Sequence, residues 1–180
     1  MDERAWIDEL VRAYRVQRSQ CERAVAQVSD DRLFETPYRG APSLAVLMKH
    51  VSGNLRSRMR DFLTSDGEKY DRQRDSEFDV SADTPASIQA LWEEGWETAL
   101  ATLEALQPQD LDREVTIRGE PWQVTSALQR NLTHTAYHGG QIVMLAKHLA
   151  GSAWQTLSIP LGGSEAFNAE MRERFGGGAG

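Results

Sequence analysis

Apolar residues recur at helical spacing in four blocks of the chain, with polar stretches between them. In the first block Trp6, Leu10, Tyr14, Cys21, Val25 and Val28 fall three, four or seven residues apart. That spacing draws one stripe along an amphipathic helix of about residues 3–28. A turn-rich stretch ending in YRGAPS follows, and Ser43 is placed to cap a second helix that Pro42 leads into. Leu44, Leu47, Met48, Val51, Leu55, Met59 and Phe62 mark its inner face, and the pattern fades near Thr64. The third helix has Thr84 as cap and Pro85 at its first position. Its stripe runs through Ile88, Leu91, Trp92, Trp96, Ala99, Leu100, Leu103 and Leu106, and Pro108 ends it.

Beyond Pro108 the period changes. REVTI and PWQV alternate around Arg118-Gly119-Glu120, which predicts a small β-hairpin. The fourth helix is expected from Thr125, as its cap, to Leu149, with Gly151 closing it. The segment from Trp154 has room for one short helix over roughly 164–174, capped by Ser164. Four long amphipathic helices predict an all-α fold, a four-helix bundle. The hairpin precedes its last long helix. Residues 65–83, SDGEKYDRQRDSEFDVSAD, are too long and too charged for a simple turn, so they are expected to form a long crossover loop. One domain over 1–175 with a flexible glycine-rich tail at 176–180 accounts for the whole length.

Composition narrows the function. The 180 residues carry a net charge of −7, which disfavours a general nucleic-acid or anionic-membrane binder. A local cationic pocket stays open. Cys21 is the single cysteine, so neither a disulfide framework nor a cysteine zinc cluster is available. The N-terminus is charged from its second residue, with no signal-peptide core and no apolar run of membrane-spanning length, so a cytoplasmic protein is expected.

Chemistry concentrates in the histidines. His134 and His138 stand one helical turn apart in HTAYHGGQ, so both imidazoles can reach one point. The helical zinc-protease motif also requires Glu directly after the first His; Thr135 stands there, and the protease reading fails. His50 lies on the second helix at the margin of its buried stripe. Alone it reads as a core-edge imidazole bonded to a carbonyl. Three of the four histidines nevertheless occupy inward-facing positions of one bundle. Unpaired, they are costly to desolvate, and a shared divalent cation satisfies all three. His148, about 15 Å further along the helix axis than His138, cannot join them and sits where the helix dipole favours a cation.

These residues resemble the DinB-like (DinB/YfiT) metal-binding superfamily of four-helix bundles. One His on the second helix and HxxxHxGQ on the fourth are its recurring pattern, matched here by His50, His134, His138, Gly140 and Gln141. The likeness extends over nearly the whole chain. HVSGNLRSRMRDFLTSDGEKYDRQRDSEF and WQTLSIPLGGSEAFN are similar to a branch without an assigned activity. The resemblance implies a divalent metal, zinc or nickel first and iron or manganese next, held by three neutral imidazoles with positions left open. It also implies a metal-dependent enzyme of the S-transferase type using a low-molecular-weight thiol, or else a stress-associated metal-binding bundle without turnover. A homodimer is expected from the same likeness. A scaffold with purely structural histidines is a third reading.

Asn54, one turn after His50, and Gln141, three residues after His138, are candidates to hydrogen-bond a ligand or bound water. Packed, satisfied amides are the alternative for both. Asp61 lies further along the Asn54 line. Arg56, Arg58 and Arg60 suit an anionic thiol, with a solvated basic face as the plainer account. Gly139 and Gly140 cost the helix about 1 kcal/mol each relative to Ala, so close packing against the first helix or a second subunit is expected there. Trp6, Trp92, Trp96, Trp122 and Trp154 are read as core or interface.

Overall fold

The computed structural model describes residues 2–176, so positions 177–180 of the expected glycine-rich tail lie outside the described residues. Four long helices form the bundle: α1 (Glu3–Val25), α2 (Leu44–Met59), α3 (Pro85–Ala105) and α4 (Val124–Ala150). A hairpin of β1 (Glu114–Ile117) and β2 (Glu120–Gln123) precedes α4, and α5 (Ser164–Phe175) follows it. None of the described helices is long and apolar enough to cross a membrane.

Local chemistry sets most boundaries. Asp2 accepts from the Arg4 N–H at the start of α1, and Ser43 accepts from Val46 N–H at the start of α2. Thr84 and Ser87 cap α3 reciprocally, with Pro85 at its first position. In the hairpin, Arg118 and Gly119 both take positive φ, 57° and 76°, the pair of conformations a two-residue turn needs to match strand twist.

Four boundaries differ from the sequence expectation. α1 stops at Val25, although Val28 stays buried beyond it. α2 ends at Met59 because Asp61 turns to φ 50° and its carbonyl accepts from Thr64 and Ser65 N–H, starting a new turn. Asp61 therefore leaves the helix face that carries Asn54. Thr125 is not the cap of α4: the helix starts directly out of β2, where Val124 N–H donates to Arg113 O. Ser164 lies inside α5, behind Gly163, with no side-chain cap bond.

α1 packs on α3 and α4, and α2 packs on the same two helices, which puts α1 and α2 on opposite corners. Contacts also give the directions. Ser52 meets Gly95 while Met59 O accepts from Thr102, so α2 and α3 run parallel. The Asn54–Asn131 bond and the His50–His134 ring pair make α2 and α4 antiparallel. Parallel neighbours need a connection that returns the length of the bundle, and residues 60–84 supply it. This crossover is anchored rather than loose. Asp66 accepts from Arg118 and Gly119 N–H in the hairpin turn, and Arg58 reaches from α2 to Gly67 O and Glu68.

The core continues from Ile7, Tyr14 and Cys21 through Leu55, Met59, Trp92, Trp96 and Leu103 to Leu128 and Ile142, all nearly inaccessible. Trp92 and Trp96 meet edge to face at 5.5 Å, while Trp6, Trp122 and Trp154 are partly buried against the core. α2 and α3 approach closest at Gly95, where an added Cβ would lie 2.7 Å from Ser52 Cα and 2.9 Å from Ser52 O. Both obstacles are backbone. Gly95→Ala is therefore expected to destabilise the fold by about 1–3 kcal/mol despite the better helix propensity of Ala, as measured by urea unfolding.

Candidate metal centre

α2 and α4 cross where His50, His134 and His138 face each other. Their ring centroids are 4.6 Å apart for His134–His138, 4.8 Å for His50–His138 and 5.4 Å for His50–His134. Each ring offers one nitrogen such that all three nitrogens lie within 4.8 Å of one another, a group that could hold a metal ion. His50 is buried, whereas His134 and His138 are half-buried, so one side of the cluster is open to small molecules. Phe78 lies 5.0 Å from the His50 ring and Tyr137 5.0 Å from the His138 ring, and both aromatics are exposed beside the triad.

Hydrogen bonds leave the histidines ready for a cation. His50 Nδ1–H donates to Glu77 Oε2 at 2.8 Å, and His138 Nδ1–H donates to Gln141 Oε1 at 2.7 Å. Both rings therefore keep Nε2 free for a ligand and have their orientation fixed from behind. His134 Nδ1 is buried without a hydrogen-bond partner among the described residues. An orphaned buried nitrogen costs about 1–3 kcal/mol, and a shared cation taken up by that nitrogen would remove the deficit. The residues fit the group.

Electrostatics agree. Burial, with His138 and His50 nearby, lowers the pKa of His134 to about 4, and burial also lowers that of His138. Both imidazoles are thus neutral, as a metal ligand must be, at physiological pH. Burial opposes ionisation of Glu77, but hydrogen bonds from His50 and Arg72 outweigh it and hold the carboxyl below its usual range. Arg72 grips both Glu77 oxygens, Nε to Oε1 at 2.8 Å and Nη2 to Oε2 at 3.0 Å.

Glu77 is the residue that sequence reasoning missed. It belongs to a short 3-10 turn, Arg74–Phe78, in the charged crossover, and is buried against α2. Gly53 makes the approach feasible, since a Cβ there would lie 2.7 Å from Glu77 Cδ. A carboxylate behind a ligating His is the usual arrangement, but residues 65–83 offer several acids without a period to choose among them.

The other candidates fall as follows. Asn54 Oδ1 accepts from Asn131 Nδ2 at 2.9 Å, and Asn131 Oδ1 accepts from Tyr14 O–H at 2.9 Å, forming a buried polar chain one turn from the triad. Gln141 meets His138 directly. Arg56 pairs with Glu94 and Arg60 with Asp71, while Arg58 is buried on the hairpin side. His148 is exposed in the last turn of α4. Cys21 is buried and its thiol is pushed up to about 12, by burial first and Glu22 second, so it is no nucleophile at neutral pH. Gly139 packs on α1, where an added Cβ would sit 3.3 Å from Cys21 Sγ and Gln17 Oε1; at Gly140 it would meet nothing.

A bundle whose crossing helices present three convergent histidines defines a DinB-like fold with a cluster that could bind a metal. The crystal structure of a DinB-like protein, YjoA, from Bacillus subtilis matches it with a TM-score of 0.64 and 19% sequence identity, over 82% of this chain and 96% of that one. At that identity the likeness is one of fold. The chain belongs to the DUF1572 family, described as proteins of unknown function, whose model matches residues 2–163. A comparison with curated proteins gives no match.

Proposed function

We propose that His50, His134 and His138 hold one divalent metal ion, zinc or nickel before iron or manganese, and that the protein is a metal-dependent enzyme of the thiol S-transferase type. The observation that carries this reading is the convergence of three imidazoles, one of them backed by the buried Glu77–Arg72 pair. When bound, a divalent cation with three neutral ligands keeps its full +2 charge for acidifying a thiol or water. The chain's own part is positioning. Glu77 and Gln141 hold the Nδ1 protons of His50 and His138 and so fix which nitrogens face inward. Half-exposed His134 and His138 leave a side on which a small thiol and its electrophile can approach, between Phe78 and Tyr137.

A specific observation favours a second reading, a metal-binding bundle without turnover. Glu77 already accepts three hydrogen bonds, from His50 and Arg72, which commit the carboxylate nearest the triad to holding those side chains rather than to taking a substrate proton. Two measurements separate the readings. Tag-free protein is expected to carry about one metal per chain by elemental analysis; less than about 0.1 sinks both metal readings. The loaded protein is then given small thiols and a chloro-dinitroarene. Turnover that disappears in His138→Ala supports the enzyme, and flat traces with every thiol support the binder.

We also propose a homodimer through the α1–α4 face. Val16, Tyr137 and Met144 are exposed there, and the open space over Gly140 lets another backbone come close. A chain of 20.2 kDa should then elute near about 40 kDa; elution at the monomer mass removes the dimer.

A further inference from the structure

Outside the triad, the chain folds a cationic cavity of about 280 Å³ between α2, the crossover and α3. Lys49, Arg56, Arg60, Lys69 and Arg72 line it, against three carboxylates, Asp71, Glu77 and Glu94. This reverses the sign of a chain whose net charge is −7. Four of the cations have carboxylate partners: Lys49 with Asp83, Arg56 with Glu94, Arg60 with Asp71 and Arg72 with Glu77. Lys69 has none among the described residues. The residue is only 8% exposed, and the Asp66 carbonyl is the one acceptor its three ammonium donors have among the described residues.

Keeping an unpaired ammonium inside a protein costs several kcal/mol. Burial first and Arg60 second lower the Lys69 pKa, and the Asp61 and Asp66 carboxylates offset this only in part. Ser57 anchors the Lys69 backbone by accepting from Lys69 N–H at 3.2 Å, so the chain is held at this point without the ammonium. The missing counter-charge is a ligand's. We propose that the cavity binds the phosphoryl group of a small anion, with Lys69 and Arg60 as the main contacts and Arg72 as the floor. A phosphoryl group carries up to two negative charges and three strong acceptor oxygens, enough to meet Lys69, Arg60 and Arg72 together, whereas a single carboxylate has one charge and two oxygens. Arg60 and Arg56 are half-exposed, so they can turn from Asp71 and Glu94 to such a ligand without unfolding anything.

None of the three histidines lines the cavity, although it shares Arg72 and Glu77 with the support of His50. The test measures the melting temperature of the full chain against inorganic phosphate, with sodium chloride at matched ionic strength as the control for general screening. Wild type should show a saturable rise. Lys69→Met, which fills the space without the charge, should need about tenfold more phosphate or lose the response. Arg60→Gln, at a half-exposed position, should weaken it without affecting folding. His138→Ala should respond like wild type. A small phosphate monoester run in parallel identifies the source: a midpoint well below that of inorganic phosphate assigns a phosphorylated metabolite, and the reverse assigns the free ion. The proposal is overturned if phosphate gives no rise beyond chloride, or if Lys69→Met and Arg60→Gln both respond as wild type does. It is equally overturned if the response vanishes in His138→Ala, which places phosphate at the triad.

Discussion

His134→Leu is expected to abolish the metal-dependent rise in melting temperature while leaving the metal-free protein as stable as before, or more so. His134 Nδ1 is buried without a partner among the described residues, and the ring is held neutral by its surroundings. An apolar residue of similar size removes that deficit. It also removes one of three ligands, and the remaining pair, His50 and His138, cannot hold a divalent ion tightly. Wild type at a metal concentration one hundred times Kd should gain about 2.7 kcal/mol, roughly 5–11 °C for a chain of this length. Thermal melts with and without zinc or nickel read both halves. A metal response that survives in His134→Leu would falsify the three-histidine centre, and a collapsed metal-free protein would show that the ring has a structural task instead.

The second large effect concerns the carboxylate behind His50. Glu77→Gln should lower metal affinity about 10- to 100-fold, the range found when a hydrogen-bond partner of a ligating His is neutralised. The same outcome is expected from Gly53→Ala, which touches neither ligand nor carboxylate. Its Cβ would occupy space that Glu77 Cδ now approaches to 2.7 Å, so the flexible Glu77 side chain moves off His50 and out of the Arg72 fork. Because the obstacle is a side-chain end, the backbone need not move, but opening the buried Glu77–Arg72 pair should cost about 3–5 kcal/mol of stability. Gly95→Ala, where the obstacle is backbone, makes the contrast. Competition titrations with a chelating dye measure the affinity. Equal affinity in wild type and Glu77→Gln would reduce Glu77 to a structural ion-pair partner of Arg72.

The sequence by itself determined the four helices, the hairpin, the Thr84 cap of α3 and the stop at Gly151, because periodicity, caps and turn glycines act over a few residues. It also determined the His134–His138 pair, which helical geometry alone places on one face. His50 was legible as an inward position on α2. That its ring meets the other two follows from α2 and α4 running antiparallel side by side, which sets the 4.8 Å and 5.4 Å ring separations. The misread starts of α4 and α5 show where local signals yield. Thr125 is a good cap by type, yet the hairpin bond from Val124 to Arg113 begins the helix one residue earlier. Only the tertiary structure decided what residues 60–84 do. Charge density there marks no period and no partner, so nothing local distinguishes Glu77, which backs His50, from Asp66, which clamps the hairpin, or Lys69, buried without a counter-ion. Those roles arise when parallel α2 and α3 force the chain back along the bundle, and when two glycines, 53 and 95, let the crossover and α3 come against α2.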